Sequence, residues 1–234
     1  MNFNFQIFSD FDGTITKSDS LEFILNKYAE PGWIEIEDRV TRREINEKDA
    51  LQLQFNMLDL SLQEALHDLR EIELDPYFRE FIHLCRNNSL PVIVLSGGFD
   101  IFIEKIFEAN RIHGIIYHAN SAKVKNGRWK ILPSGSPKLK NRCNHCKTFW
   151  LEKARSSGSR VIYIGDGNTD RCATQNADIR FAKGVLANYL STINMAFYEY
   201  QSFSEIIKIF TDEILKESEK EKYFAGIEHP LADR

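Results

Sequence analysis

Short apolar segments, separated by longer stretches with helical periodicity, set the pattern of this chain. In residues 2–8, Phe3, Phe5 and Ile7 alternate with polar residues, which predicts a strand that enters a core. Residues 91–95 form the continuous apolar run that is typical of a buried parallel strand. We predict further strands at 115–117 and 161–164, an edge strand at 178–182, and a hairpin at 123–131 around Asn126-Gly127.

Between the first two strands lies a stretch whose apolar residues recur at helical spacing. Asp19-Ser20-Leu21-Glu22 and Ser61-Leu62-Gln63-Glu64 both have the spacing of a capping box, which marks helix starts. Asp75-Pro76 then marks the return to the strand pattern. The predicted division is a helical-bundle cap at 17–74, inserted after the first strand of a core formed by 1–16 and 75–234.

The remaining strands alternate with helices along the chain. This alternation predicts an α/β fold, a three-layer, Rossmann-like and mostly parallel sheet with helices on both faces. In such sheets ligands bind at the carboxyl ends of the strands.

Composition and charge narrow the functional classes. The 234 residues suffice for one core with a small insertion, and a net charge of −4 does not suggest a general nucleic-acid partner. No apolar run approaches the roughly 20 residues of a membrane span. No basic, cleavable leader precedes the first strand, so we expect a cytoplasmic protein with reduced cysteines.

Candidate chemistry lies where the predicted strands end. Asp10 and Asp12 follow the first strand and are two residues apart, which would place both on one face. Ser96-Gly97-Gly98 follows the second strand, and Asp166 and Asp170 follow the strand at 161–164. Acids gathered at one sheet edge suit metal-assisted phosphoryl transfer through an aspartyl phosphate.

In order and spacing, these motifs resemble those of the haloacid dehalogenase-like phosphatases. The four motifs of that family read here Asp10-Phe11-Asp12-Gly13-Thr14, Ser96, Lys147 and Gly165-Asp166 to Asp170. Each alone has an ordinary explanation as a turn, a helix cap or a surface charge. Their joint occurrence at the ends of buried strands favours catalysis.

The resemblance implies a role for each acid. Asp10 would attack phosphorus, and Asp12 would protonate the leaving oxygen and later deprotonate the water that hydrolyses the intermediate. Asp10, the backbone carbonyl of Asp12, and Asp166 would hold Mg²⁺. Asp170 would support those metal ligands or orient Lys147.

The resemblance also implies how the phosphoryl group is held. Ser96, the Gly97 amide and Lys147 would bind its oxygens, with help from a helix N-terminus. The expected partner is a small phosphorylated metabolite, and the protein is expected to be a monomer or homodimer.

The placement of the helical insert resembles the phosphoserine-phosphatase branch of the family. Within it, residues 29–33 and 143–147 look most similar to the methionine-salvage group, which acts on 2-hydroxy-3-keto-5-methylthiopentenyl-1-phosphate. Phosphoserine phosphatase activity and non-catalytic binding of a phosphate ester are the alternatives. The cap residues Phe23, Trp33, Phe55 and Met57 would line an apolar pocket or fill the core of the cap.

Cys143-Asn144-His145-Cys146 has two interpretations. With His118 or His113 it would ligate zinc; otherwise its cysteines are free thiols in a loop. No second CxxC is present, which favours free thiols.

Overall fold

A computed structural model describes residues 5–132 and 145–216. Within those ranges the strands form one seven-stranded sheet in the order β4-β3-β2-β1-β5-β6-β7. All neighbouring strands are parallel except β3 and β4, which are antiparallel. The strand bounds are β1 Phe5–Ser9, β2 Val92–Phe99, β3 Ile116–Lys125, β4 Arg128–Leu132, β5 Arg160–Gly165, β6 Ile179–Ala182 and β7 Tyr198–Glu199.

Helices cover both faces of this sheet, so the predicted three-layer α/β class is confirmed. The helix bounds are α1 Ser20–Tyr28, α2 Trp33–Thr41, α3 Glu47–Asn56, α4 Leu62–Asp68, α5 Phe78–Asn87, α6 Asp100–Ala109, α7 Lys147–Ser156, α8 Arg171–Gln175, α9 Gly184–Thr192 and α10 Phe203–Ile209. A π-helical turn, Phe210–Ile214, follows α10. Among the residues described, none of the helices has both the length and the apolar composition needed to cross a bilayer.

The central strands are largely apolar because both of their faces are buried. Along β1, Ile7 packs into the core on the side of α5, α6 and α10, while Phe8 packs into the core on the side of α7 and α8. On β5, Ile164 packs into the first of these cores and Tyr163 packs into the second. A period of two within a continuous apolar run therefore fills two cores at once.

The sheet extends further than the sequence predicts. The segment predicted as an edge strand, 178–182, contains β6, which is internal because β7 pairs with it on its other side. β3 is also longer than predicted, since it pairs with β2 through its first half and with β4 through its second half. β7 has only two residues, and the second half of β3 is partly exposed, so neither produces an apolar run.

The helical segment α1–α4 leaves and rejoins the sheet domain at one place. Thr16 and Leu74 form an antiparallel bridge, and the Lys17 amide donates to the Glu73 carbonyl at 2.9 Å. Asp19 caps α1 by accepting from the amides of Leu21 and Glu22. The entry and exit of the segment are therefore adjacent.

Aromatic packing joins α3 to the sheet. The Phe55 ring lies 4.9 Å from Phe99 of β2 and 5.3 Å from Trp129 of β4, measured between centroids. The Trp129 indole nitrogen also donates to the Leu60 carbonyl at 2.9 Å. These contacts fix α3 over the antiparallel hairpin.

Substitution of Phe55 by alanine should lower the free energy of unfolding by about 3–5 kcal/mol, because this fully buried ring would leave a cavity between three elements. Leu53→Ala is the matched control, since Leu53 lies on the same helix and is 40% exposed. Its effect should stay within about 0.5 kcal/mol. Urea unfolding followed by circular dichroism measures both, and equal losses would contradict this account of the α3 contact.

Candidate active site

Acidic side chains from distant parts of the chain meet at the carboxyl ends of β1 and β5. One carboxylate oxygen from each of Asp10, Asp166 and Asp170 lies within 4.8 Å of the other two. In the described ranges this is the one group of three or more acidic, histidine or cysteine side chains close enough to share a metal ion. Hard oxygen donors in such a cluster suit Mg²⁺.

Lys147 places a single ammonium group inside this cluster. It is the first residue of α7 and only 4% exposed. Its Nζ donates to Asp10 Oδ1 at 2.5 Å and to Asp170 Oδ1 at 2.7 Å. Both predicted partners of the phosphoryl group, the first acid and the lysine, are therefore in direct contact.

Four hydrogen-bond donors hold the Asp170 carboxylate in place. Besides Lys147, Tyr163 donates its hydroxyl to Oδ1 at 2.5 Å, and the amides of Asp166 and Gly167 donate to Oδ2 at 3.1 and 3.0 Å. A Cβ on Gly165 would lie 2.6 Å from Asp170 Oδ2, so glycine is required there. Asp170 consequently holds the ammonium group beside Asp10.

Asp12 is not one of the three clustered acids and bridges to α1. Its Oδ1 accepts from the Ser20 amide at 2.8 Å, and its Oδ2 accepts from the Ser96 hydroxyl at 3.2 Å. Ser96 in turn accepts from the Gly98 amide at 2.9 Å. The second acid of the motif is thus tied both to β2 and to the first turn of the helical segment.

The turn after β1 positions Asp166. Gly13 has φ +75°, and a Cβ there would lie 2.5 Å from Asp166 Oδ2, so both conformation and space require glycine. Thr14 donates its hydroxyl to Asp166 Oδ1 at 2.8 Å. The Asp-x-Asp-Gly-Thr motif therefore contributes more than its two acids. Gly13 leaves room for the Asp166 carboxylate, and Thr14 donates a hydrogen bond to it.

The cluster carries more negative than positive charge. Burial, and then the charge of Asp170, raises the pKa of Asp10 well above its usual value, although Lys147 opposes the shift. Burial and Asp170 likewise raise the pKa of Asp166. Burial lowers the pKa of Lys147, but the charges of Asp10 and Asp170 outweigh it and the pKa is raised. A divalent cation would offset the remaining negative charge.

A cavity of about 290 Å³ lies between these strand ends and the helices α1–α3. Of the residues predicted to line an apolar pocket, Trp33 lines this cavity, whereas Phe55 is fully buried in the core. Phe23 and Met57 pack against the same core. The lining residues are Asp10, Asp12, Asp19, Leu21, Glu22, Leu25, Trp33, Glu37, Val40, Glu47, Ala50, Leu51, Gln54, Gly97, Gly98, Asp166, Gly167, Asn168 and Thr169.

Sequence reasoning missed two groups that hold the acids in place. Tyr163 lies within the apolar run of β5, where its ring packs like its neighbours and only its hydroxyl is functional. The Ser20 contribution is a backbone amide, which no side-chain motif reveals. The one available signal was the capping pattern at Asp19, which places a helix start near Asp12.

The cysteine-histidine loop falls partly outside the described residues, because Cys143 belongs to 133–144. His145 and Cys146 are both buried, and burial lowers the pKa of His145 to about 3. Neither ring nitrogen of His145 has a hydrogen-bond partner, and no third ligand joins His145 and Cys146 among the residues described. Cys146 forms no disulfide within the described residues, and free thiols rather than zinc stay the prediction for this loop.

Comparison with known proteins agrees with the motifs. The haloacid dehalogenase-like hydrolase family matches residues 7–175. The chain belongs to the haloacid dehalogenase-like hydrolases. The family predicted from the sequence is therefore confirmed, and the chain is an enzyme of the hydrolase class.

Two curated relatives match this chain over most of their length. The 2-hydroxy-3-keto-5-methylthiopentenyl-1-phosphate phosphatase of Bacillus pumilus is 30% identical over 223 residues, 93% of this chain and 96% of the relative. The protein of the same name from Brevibacillus brevis is 28% identical over 207 residues, 87% of this chain and 93% of the relative.

A solved phosphatase structure shares the fold. A phosphoserine phosphatase described as a phospho-aspartyl intermediate analogue superposes with a TM-score of 0.68 at 23% identity. The match covers 89% of this chain and 99% of that one. At this identity the likeness shows a common architecture.

The raised pKa of Asp10 predicts a pH-dependent stability difference between Asp10→Asn and the wild-type protein. In metal-free buffer the pKa of Asp10 is higher in the folded protein than in the unfolded chain, where it is about 4. The wild-type protein therefore loses stability relative to the variant as pH rises from about 4 towards the raised pKa of Asp10, by at most about 1.4 kcal/mol per pH unit.

Urea unfolding in buffer with chelator measures this difference at several pH values. Asp212→Asn is the control, because Asp212 is half exposed and its ion pair within the described residues is with Lys216, outside the cluster. The stability difference between this variant and the wild-type protein should change less with pH than that of Asp10→Asn. A pH-independent difference for Asp10→Asn would contradict the excess negative charge of the cluster.

Proposed function

We propose that the protein is a Mg²⁺-dependent phosphomonoester hydrolase that acts through an aspartyl phosphate on Asp10. The observation that carries this proposal is the contact of Asp10 with Lys147 inside a cluster of carboxylates that faces a cavity. A nucleophile, a cation for phosphoryl oxygens and oxygen ligands for a metal are the parts that the reaction requires.

The residues present fit a divalent cation. Asp10, Asp166 and the backbone carbonyl of Asp12 would hold it, and the excess of carboxylates over ammonium groups favours its binding. When bound, Mg²⁺ supplies the positive charge that allows a phosphate dianion to approach the Asp10 carboxylate.

Transfer to the protein uses Asp10 and Asp12 in turn. A carboxylate oxygen of Asp10 attacks phosphorus, the ester bond breaks, and Asp12 donates its proton to the leaving oxygen. Burial raises the pKa of Asp12, which favours its protonated form before the attack, although its hydrogen bonds with Ser20 and Ser96 act in the opposite direction.

Hydrolysis of the intermediate regenerates the site. Asp12, now ionised, takes a proton from water, whose oxygen attacks phosphorus and releases Asp10 and inorganic phosphate. Lys147, the Ser96 hydroxyl and the Gly97 amide bind the phosphoryl oxygens through both steps. Asp170 and Tyr163 keep Lys147 in position.

The helical segment would act as a cap that recognises the leaving group. We propose that 17–74 is this cap and that 1–16 with 75–234 is the catalytic core. The proposal is supported by the cavity, which α1–α3 line on one side and the strand ends on the other. A leaving group attached to a phosphoryl group at Asp10 would occupy the side formed by these helices.

The names of the relatives suggest a substrate. Two methionine-salvage phosphatases match nearly the whole chain at 28% and 30% identity. We propose that this protein also hydrolyses 2-hydroxy-3-keto-5-methylthiopentenyl-1-phosphate. Its methylthio tail would lie toward Trp33, Leu51 and Val40, the apolar part of the cavity lining.

Purified protein should release phosphate from p-nitrophenyl phosphate when Mg²⁺ is present and lose this activity when the metal is chelated. Asp10→Asn removes the nucleophile and should lower kcat by about 10⁴-fold or more. Asp212→Asn should leave kcat unchanged. Turnover by Asp10→Asn at the wild-type rate would refute the nucleophile, and tight ester binding without turnover by the wild-type protein would favour a binding protein.

The substrate proposal predicts a ranking of kcat/KM. The methylthio enol phosphate should be hydrolysed at least about 100-fold more efficiently than phosphoserine, because an apolar and non-anionic leaving group fits the cavity better. Phosphate release from both compounds under identical conditions measures the ratio. A higher kcat/KM for phosphoserine would instead indicate a phosphoserine phosphatase.

A further inference from the structure

The side of the cavity that the helices form carries negative charge. Glu22 of α1, Glu37 of α2 and Glu47 of α3 line it opposite the catalytic acids. Among the described lining residues, every ionisable side chain is a carboxylate and none is a lysine or arginine. A leaving group attached to the phosphoryl group would thus meet a second set of acids.

The glutamates on the helices differ from the acids at the strand ends in the positive charge that lies beside them. Asp10 has Lys147 and a proposed metal beside it, whereas neither Glu22 nor Glu37 belongs to an ion pair described in the structure. Arg39 of α2 and Arg42 of the following turn pair with Glu44 instead. Glu22 and Glu37 are exposed and line the cavity, so their unpaired negative charge acts on a group that enters it.

Gln54 fixes Glu37 in this position. Gln54 is 5% exposed, and its Nε2 donates to Glu37 Oε2 at 3.2 Å and to the Trp33 carbonyl at 3.5 Å. An amide can orient a carboxylate without neutralising it. The pKa of Glu22 is raised by partial burial and then by the charges of Glu37 and Asp12, which is consistent with the proximity of these groups.

We propose that Glu37, together with Glu22, determines specificity by charge: it excludes leaving groups that carry a carboxylate and admits those with hydroxyl or amino donors. The inference rests on the proposed phosphatase function and names the chemistry of its leaving group. A carboxylate placed against two glutamates is repelled, whereas a hydroxyl or ammonium group donates hydrogen bonds to them.

Three phosphate esters of similar size test this charge selection: 2-hydroxyethyl phosphate, 2-aminoethyl phosphate and phosphoglycolate. They carry a neutral, a positive and a negative group at the same distance from phosphorus. The wild-type protein with Mg²⁺ should show a kcat/KM for phosphoglycolate about 10-fold or more below that for the hydroxyethyl ester. The aminoethyl ester should be hydrolysed at least as well as the hydroxyethyl ester.

Glu37→Gln removes the charge and keeps an acceptor for Gln54. The ratio of kcat/KM for phosphoglycolate to that for the hydroxyethyl ester should rise about 10-fold, equivalent to about 1.4 kcal/mol. Glu35→Gln is the matched control, because Glu35 lies on the same helix and is exposed like Glu37, but does not line the cavity. Its ratio should equal that of the wild-type protein.

Two outcomes separate the charge selection from the phosphatase itself. If all three esters are hydrolysed and Glu37→Gln gives the same ratio as Glu35→Gln, the selection is wrong and the phosphatase function stands. If no ester is hydrolysed, titration calorimetry of the same esters with Mg²⁺ tests the selection through binding. Equal affinities for phosphoglycolate and the hydroxyethyl ester would then overturn it.

Discussion

A single ammonium group shared by buried carboxylates organises this protein. Lys147 reaches Asp10 and Asp170 at once, and its first-turn position on α7 brings the third quarter of the chain against the first strand. Lys147, even with the charge of Lys183 acting on Asp166, cannot balance these acids, so the site is assembled with an excess of negative charge. The surrounding sheet makes this tolerable, because backbone amides, Thr14 and Tyr163 supply hydrogen bonds.

The sheet order explains why residues so distant in sequence meet. β1 lies between β2 and β5, so the ends of these three strands are neighbours. Each strand contributes one group of site residues. β1 is followed by the pair of acids, β2 carries the serine and glycines, and β5 is followed by the further acids. Continuous apolar runs identify β2 and β5 as interior strands, and the alternating apolar residues of 2–8 identify β1, which is why the positions of Asp10, Ser96 and Asp166 could be predicted from sequence.

Features that depend on exposed or backbone groups could not be predicted in this way. β7 is too short to produce a hydrophobic pattern, and β6 was consequently placed at the edge. Tyr163 resembles any buried aromatic residue of β5, and the bond from the Ser20 amide involves no side chain of its own. The orientation of Glu37 depends on Gln54, which lies on the next helix, and helical periodicity does not show which helices meet.

The adjacent entry and exit of the helical segment have a mechanical consequence. Because Thr16 and Leu74 are paired, the segment is attached to the sheet domain through two neighbouring strands of backbone that can act as one pivot. Asp12 lies close to that pivot and accepts from the first amide of α1. This bond lowers the pKa of Asp12, so a rotation of α1 that stretched it would raise that pKa. The position of α1 and the acid strength of Asp12 would therefore change together.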